Sequence, residues 1–160
     1  MDEGFDFLGF HIRRQHKRGT QKYYVFTKPS KTAIQAIKDK VKDRTRRADQ
    51  DMRPDELLVS LNRMLRGWAN YFRHGVSKAI FGAIDNHAWH RIVGWIFRKL
   101  SRISWHQLRR RFCLPGTWKL ACNGVEFTGA SSVKVIRYRC RGTKIPTPWS
   151  SQPATAAVGG

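Results

Sequence analysis

Apolar side chains at Leu57, Leu58, Leu61, Met64, Leu65, Trp68 and Phe72 recur every three or four residues, the spacing that gathers them on one face of a helix. The opposite face carries Arg63, Arg66, Asn70 and Arg73 at the same steps. A guanidinium stripe with an amide between its charges therefore stands opposite the buried stripe. Pro54 suits a first helical position, where the missing N–H donor is an orphan anyway, and Asp55 and Glu56 follow at the positive end of the helix dipole. The helix is expected to start near Pro54 and to run to Arg73 or His74. Gly75 is expected to close it in the left-handed conformation and Ser77 to cap the next helix, so the two turn sharply on one another.

That next helix spans residues 78–100 and is apolar over most of its circumference, with Ile80, Phe81, Ile84, Ala88, Trp89, Ile92, Val93, Trp95, Ile96 and Phe97. Such a helix belongs at the centre of a bundle. Its remaining strip carries His87, Arg91, Arg98 and Arg102. Upstream, Pro29 ends a strand and Ser30 is an N-cap. Ile34, Ile37, Val41 and Ala48 then make a narrow apolar face beside Lys31, Lys38, Lys42 and Arg46. Asp43 can pair with Arg47, but Asp39 and Asp43 repel, so packing must stabilise this first helix. A short fourth helix over residues 105–112 presents Arg109, Arg110 and Arg111 in a row.

The ends of the chain follow another period. Residues 5–14 and 22–28 are aromatic and β-branched runs joined by a polar connector containing Gly19, which predicts a β-hairpin. The alternation changes phase around Gly9, as at a bulge or a close backbone approach. Beyond Pro115 and Gly116, short strands are expected around the Asn123-Gly124 turn and over residues 132–138. From Thr143 onward, Pro146, Pro148 and Pro153 stand among small residues with little to bury, and this tail is expected to be disordered. The fold class is thus mainly α: an N-terminal β-hairpin (residues 1–29), three long helices and a short fourth (30–112), a small β-rich extension (113–142) and a tail (143–160).

Charge changes the picture. The 160 residues hold 31 Lys and Arg against 11 Asp and Glu, a formal net charge of +20. From Asn86 to the end, 13 basic residues face Glu126 alone, which places +12 of that charge in this part. A fold this self-repelling needs a polyanion, so nucleic acid is the first partner to consider. No apolar run is long enough to span a bilayer, and no membrane partner is expected. Cys113, Cys122 and Cys140 lack the paired spacing of a zinc site, and reduced thiols in the cytoplasm are the expectation. The acidic first residues fit neither a secretory signal nor a transit peptide.

Polar stripes often only solubilise a helix. Here the run Arg66-Gly67-Trp68-Ala69-Asn70-Tyr71-Phe72-Arg73-His74, followed by Val76-Ser77-Lys78, Phe81, Asp85, Trp89, Arg91 and Trp95, resembles the maturase-specific segment of group II intron reverse transcriptases, called domain X or the thumb. The resemblance covers roughly residues 5–112. Phe5-Asp6-Phe7-Leu8-Gly9-Phe10 and Lys28-Pro29-Ser30-Lys31 are similar to the hairpin that closes the palm in those mobile-element enzymes and leads into the thumb. It implies a three-helix thumb-like bundle that grips intron RNA, assists splicing and tracks an RNA/DNA duplex.

A polymerase of that family needs paired aspartates holding two divalent ions. No Tyr-Ala-Asp-Asp type motif occurs, and the aspartates from Asp2 to Asp85 lie in no matching context. No catalytic or metal-ligating residue is assigned and no cofactor is expected, with Mg²⁺ entering only through bound RNA or a separate polymerase core. His87 and His90 could approach one ion, yet no Glu or Cys stands at ligand spacing. They read as a wet helix edge or a phosphate contact, with Asp85 holding a neighbouring Arg. Trp68, Phe72 and Trp95 read as core, while Tyr71 and Trp105 are open to base stacking.

The leading reading is an RNA-binding maturase module that uses Lys38, Lys42, Arg46, Arg63, Arg66, Asn70, Arg73, Lys78, Arg91, Arg98, Arg102, Arg109, Arg110 and Arg111. The alternatives are one part of a split or truncated RNA-directed DNA polymerase that needs an upstream fragment supplying fingers and palm, and a nonfunctional mobile-element remnant. An upstream reading frame carrying the aspartate motif would separate them.

Overall fold

A computed structural model of the chain describes residues 4–16, 18–19, 23–49 and 51–136. The chain begins with an antiparallel meander of β1 (Phe5–Phe7), β2 (Phe10–His16) and β3 (Tyr23–Pro29) in the order β1-β2-β3. The phase change at Gly9 is a chain reversal and not a bulge. Phe7 pairs with Phe10 across a two-residue loop, and Leu8 (φ 47°) and Gly9 (φ 79°) both take the left-handed conformation that such a tight hairpin requires. Leucine seldom adopts this backbone. Its carbonyl accepts from the Tyr71 hydroxyl at 2.9 Å, and the Gly9 carbonyl accepts from Ser30 N–H at 2.7 Å. A Cβ at Gly9 would stand 3.3 Å from Phe72 Cζ, so the close backbone approach expected there is present.

Four helices follow: α1 (Lys31–Arg47), α2 (Pro54–Phe72), α3 (Lys78–Lys99) and α4 (Trp105–Phe112). Ser30 caps α1 by accepting from Ala33 N–H, and Pro54 opens α2 with Asp55 and Glu56 in its first turn. Arg53 pairs with both acids, at 3.4 and 3.1 Å. Ser104 and Gln107 form a reciprocal capping box on α4. The α2–α3 turn departs from expectation. Gly75 has no positive φ; it is buried, and a Cβ there would lie 3.0 Å from the Thr27 carbonyl oxygen, while Val76 N–H donates to that same oxygen at 2.8 Å. Ser77 makes no cap bond to α3, and its hydroxyl donates back to the Phe72 carbonyl at 2.8 Å.

The core is a helical layer in which α1 packs chiefly against α3, with α2 alongside. Ile37 and Val41 from α1, Leu57, Leu61, Leu65 and Phe72 from α2, and Phe81, Ile84, Ile92 and Trp95 from α3 are all buried. The seam is closed by Trp95 Nε1, which donates to the Ala48 carbonyl at 3.3 Å, and by Lys99 Nζ, which donates to the Met52 carbonyl at 2.8 Å. Trp68 sits at the rim, half-buried, with its ring 4.6 Å from Phe72 and 5.8 Å from Phe81.

After α4 the chain makes a small hairpin of β4 (Ala121–Cys122) and β5 (Val125–Glu126), with Asn123 (φ 49°) and Gly124 (φ 78°) at the turn. A short 3-10 helix, Ala130–Ser132, then lies against α2 and α3. The strand expected over residues 132–138 does not form in the described part. Residues 133–136 belong to no strand, and Ile136 N–H donates to the Arg73 carbonyl. The tail expected over residues 143–160, with Cys140, lies outside the described residues.

Candidate nucleic-acid interface

On α2 the polar stripe is where its period places it, because the Leu-rich face fixes the rotation of the helix. Arg63, Arg66 and Asn70 are exposed, Arg73 is half-buried, and Lys78 opens α3 on the surface. Arg44 of α1, which the sequence reading passed over, joins them. Its Nε donates to Ser60 Oγ at 2.8 Å, and Arg44 and Arg63 line the same groove of about 550 Å³ between the two helices. Arg53 occupies the two acids at one end of that groove, so its positive charge comes from Arg44 and Arg63.

Lys42 and Arg46 are exposed along α1, while Lys38 is half-buried at the α1–α3 seam. The strip expected along α3 divides in two. Arg91 is half-buried and its Nε donates to Thr45 Oγ1 of α1 at 3.3 Å, whereas Arg98 and Arg102 face solvent. His87 lies between Lys38 and Arg91. Burial, and then the charges of Lys38 and Arg91, hold its pKa below the ordinary histidine value, and its Nε2 is buried with no hydrogen-bond partner among the described residues. The seam therefore concentrates Lys38 and Arg91 around a neutral imidazole.

Arg109, Arg110 and Arg111 are exposed on α4. Arg109 and Arg110 share a shallow groove of about 370 Å³ with His106, Pro115 and Gly116, and the Arg109 guanidinium lies 5.1 Å from the centre of the Trp118 ring. Distances of this size suit a cation on an aromatic face. No local sequence pattern announces this contact of Trp118.

Asp85 holds no arginine among the described residues. Its two carboxylate oxygens accept from the backbone N–H groups of Ala130 and Ser131, at 2.6 and 2.8 Å. Asn62 does similar work from α2: its Nδ2 donates to the Glu126 carbonyl at 2.7 Å, and its Oδ1 accepts from Thr128 N–H at 2.9 Å and Gly129 N–H at 3.3 Å. These two polar residues fasten the segment after β5 onto the helices. Both sit at helical positions facing a stretch far along the chain, which no local pattern announces.

Among the described residues, no group of three or more His, Cys, Asp or Glu is placed to hold a metal ion. Cys113 and Cys122 are free thiols, and burial raises the pKa of each, which keeps them protonated at neutral pH. No helix among the described residues is long and apolar enough to cross a membrane.

Comparison with known proteins finds no match among curated sequences. The family described as group II intron, maturase-specific domain, matches residues 34–113, which is half of the chain and runs from the second turn of α1 through α4. With a buried face, an exposed arginine stripe and this match all falling on the same helices, the chain belongs to the group II intron maturase-specific domain family.

Proposed function

We propose that this chain binds group II intron RNA through its cationic helix faces and assists the intron in reaching its splicing-competent fold. The observation that carries this reading is the exposure of basic residues on three separate helices, Lys42 and Arg46, Arg63 and Arg66, and Arg109 to Arg111, in a chain of net charge +20. Neutralising phosphates with such side chains releases condensed counterions. RNA shape and unpaired segments supply the selectivity, since the deep groove of an A-form helix is closed to side chains.

Adding the chain to a group II intron at limiting Mg²⁺ and measuring splicing tests this directly. Splicing should rise with protein concentration. Affinity for intron RNA should fall steeply with salt, by about 0.7 to 0.9 logarithmic units per contacted phosphate for each decade of salt. A flat salt titration together with unchanged splicing would overturn the reading.

A second reading has its own observation. Phe5, Phe7 and Leu8 around the first hairpin are 62%, 59% and 69% exposed, an apolar patch at the sheet edge with no cover among the described residues. An uncovered patch of this kind marks a protein contact. It supports a chain that works docked to a reverse-transcriptase palm, as the C-terminal part of a group II intron reverse transcriptase. Co-purification with a separately expressed palm and fingers, lost on changing Phe5 and Phe7 to Ser, tests it.

A further inference from the structure

Three indoles, Trp89, Trp105 and Trp118, border an open groove of about 880 Å³ whose wall includes the buried Leu120 and Phe127. The rings are held in place before anything binds. Trp89 Nε1 donates to the Trp118 carbonyl at 2.9 Å. The Trp118 ring stands nearly perpendicular to both neighbours, at 82° to Trp89 and 76° to Trp105, with centres 6.3 Å apart in each pair. Trp105 in turn packs on Phe97 at 4.9 Å. Trp105 is nevertheless 54% exposed and Trp118 48%. Fixed indoles that keep half their surface in water form a platform more than a core.

The charge around the groove selects the occupant. Lys119 lines it, and Arg109 lies over the Trp118 ring and continues into the neighbouring groove with Arg110. The one acid among the described residues of the wall, Asp85, spends both oxygens on Ala130 and Ser131 N–H. A flat aromatic ligand carrying negative charge fits this arrangement, and an unpaired nucleotide is such a ligand. Trp118, Leu120 and Phe127 all lie beyond the family-matched residues 34–113, so the segment after α4 completes the groove.

We propose that this groove is a stacking site for unpaired bases of RNA, with the adjoining phosphates lying along Arg109 and Arg110. The proposal rests on the RNA-binding reading above and deepens it, because it makes the chain distinguish unpaired from paired RNA. In a duplex the bases are stacked on one another and cannot enter.

The test uses the full chain with two probes, a single-stranded oligo(A) carrying a fluorescent adenine analogue and a perfect RNA duplex of equal length. Wild type should quench the analogue in the single strand. The double variant Trp105→Leu, Trp118→Leu should lose the quenching and bind the single strand about 5- to 150-fold more weakly, the loss expected for one stacked base. Its duplex affinity should stay within about twofold, because the cations that supply it are untouched. Trp118→Phe, which keeps an aromatic face, should retain most single-strand binding.

Equal losses on both probes, or unchanged single-strand affinity in a folded double variant, overturn the proposal. So does a double variant that loses self-association or a protein partner while keeping both RNA affinities. Absence of quenching by wild type that still binds the duplex refutes the stacking site without any variant. Binding of neither probe by wild type instead refutes the RNA-binding reading on which the site rests.

Discussion

Asp85, near the middle of α3, caps the 3-10 helix from 45 residues away by accepting from Ala130 N–H at 2.6 Å. Ala130 is fully buried, so its N–H has no water to turn to if the carboxylate is removed. Hydrogen bonds to charged groups are worth about 1.5–3 kcal/mol, and an orphaned buried donor costs a similar amount. Asp85→Ala should therefore lower stability by about 2–3 kcal/mol in denaturant titrations and expose the segment after β5 to proteolysis. Asp85→Asn, which offers one acceptor oxygen in place of two, should fall between that variant and wild type.

The same contact fixes Gly129. Its backbone (φ 60°, ψ −163°) lies in a region that side chains avoid, and a Cβ there would run into the Asp85 carboxylate. Gly129→Ala should cost roughly 3 kcal/mol from strain and overlap together. Relief of part of that cost in the Gly129→Ala, Asp85→Ala double variant, read as non-additive unfolding free energies, would show that the two residues act on one another.

Packing and contact separate on α2. Changing Arg63, Arg66 and Arg73 together to Gln should alter stability by less than about 1.5 kcal/mol, because Arg63 and Arg66 are exposed and Arg73 is half-buried. RNA affinity should drop, and its salt slope should shrink by about two units if all three contact phosphates. Trp68→Ala should cost about 3 kcal/mol, the lower end for a large aromatic, since the indole lies at the rim of the core. Thermal melts and RNA titrations on both variants check the assignment, and an early-melting triple variant with unchanged affinity would reverse it.

The α1–α3 seam gives a pH dependence with a definite sign. His87 has its pKa lowered by burial and by the charges of Lys38 and Arg91, against the opposing pull of a hydrogen bond with the Lys38 backbone and of the Asp39 charge. Below pH 6.5 the unfolded chain takes up a proton at this residue before the folded chain does, so protonation favours unfolding. Stability associated with His87 is complete above pH 6.5 and is lost as pH falls through the lower folded pKa. Melting curves between pH 7.5 and 5 should show His87→Gln less acid-sensitive than wild type. Equal acid sensitivity of the two proteins would remove His87 from the account.

The helices were legible in the sequence because their signals are local. The three-and-four spacing of Leu57, Leu61 and Leu65, the Pro54 start and the Ser30 cap lie within a few residues of the structure they specify, and all four helices fall within a residue or two of where these signals place them. The exposed stripe of Arg63, Arg66 and Asn70 follows for the same reason, since a buried face fixes the opposite one. What tertiary structure alone decided are pairings across long stretches of chain. Leu8 takes a left-handed turn because Tyr71 and Ser30 hold its loop, Arg91 turns from solvent to Thr45, Asp85 serves the backbone of Ala130 and Ser131, and Trp118 completes an indole groove with Trp89 and Trp105. A helical position states which way a side chain points, while its partner is set by whatever segment packs there. For Asp85 and Arg91 that segment lies 45 and 46 residues away.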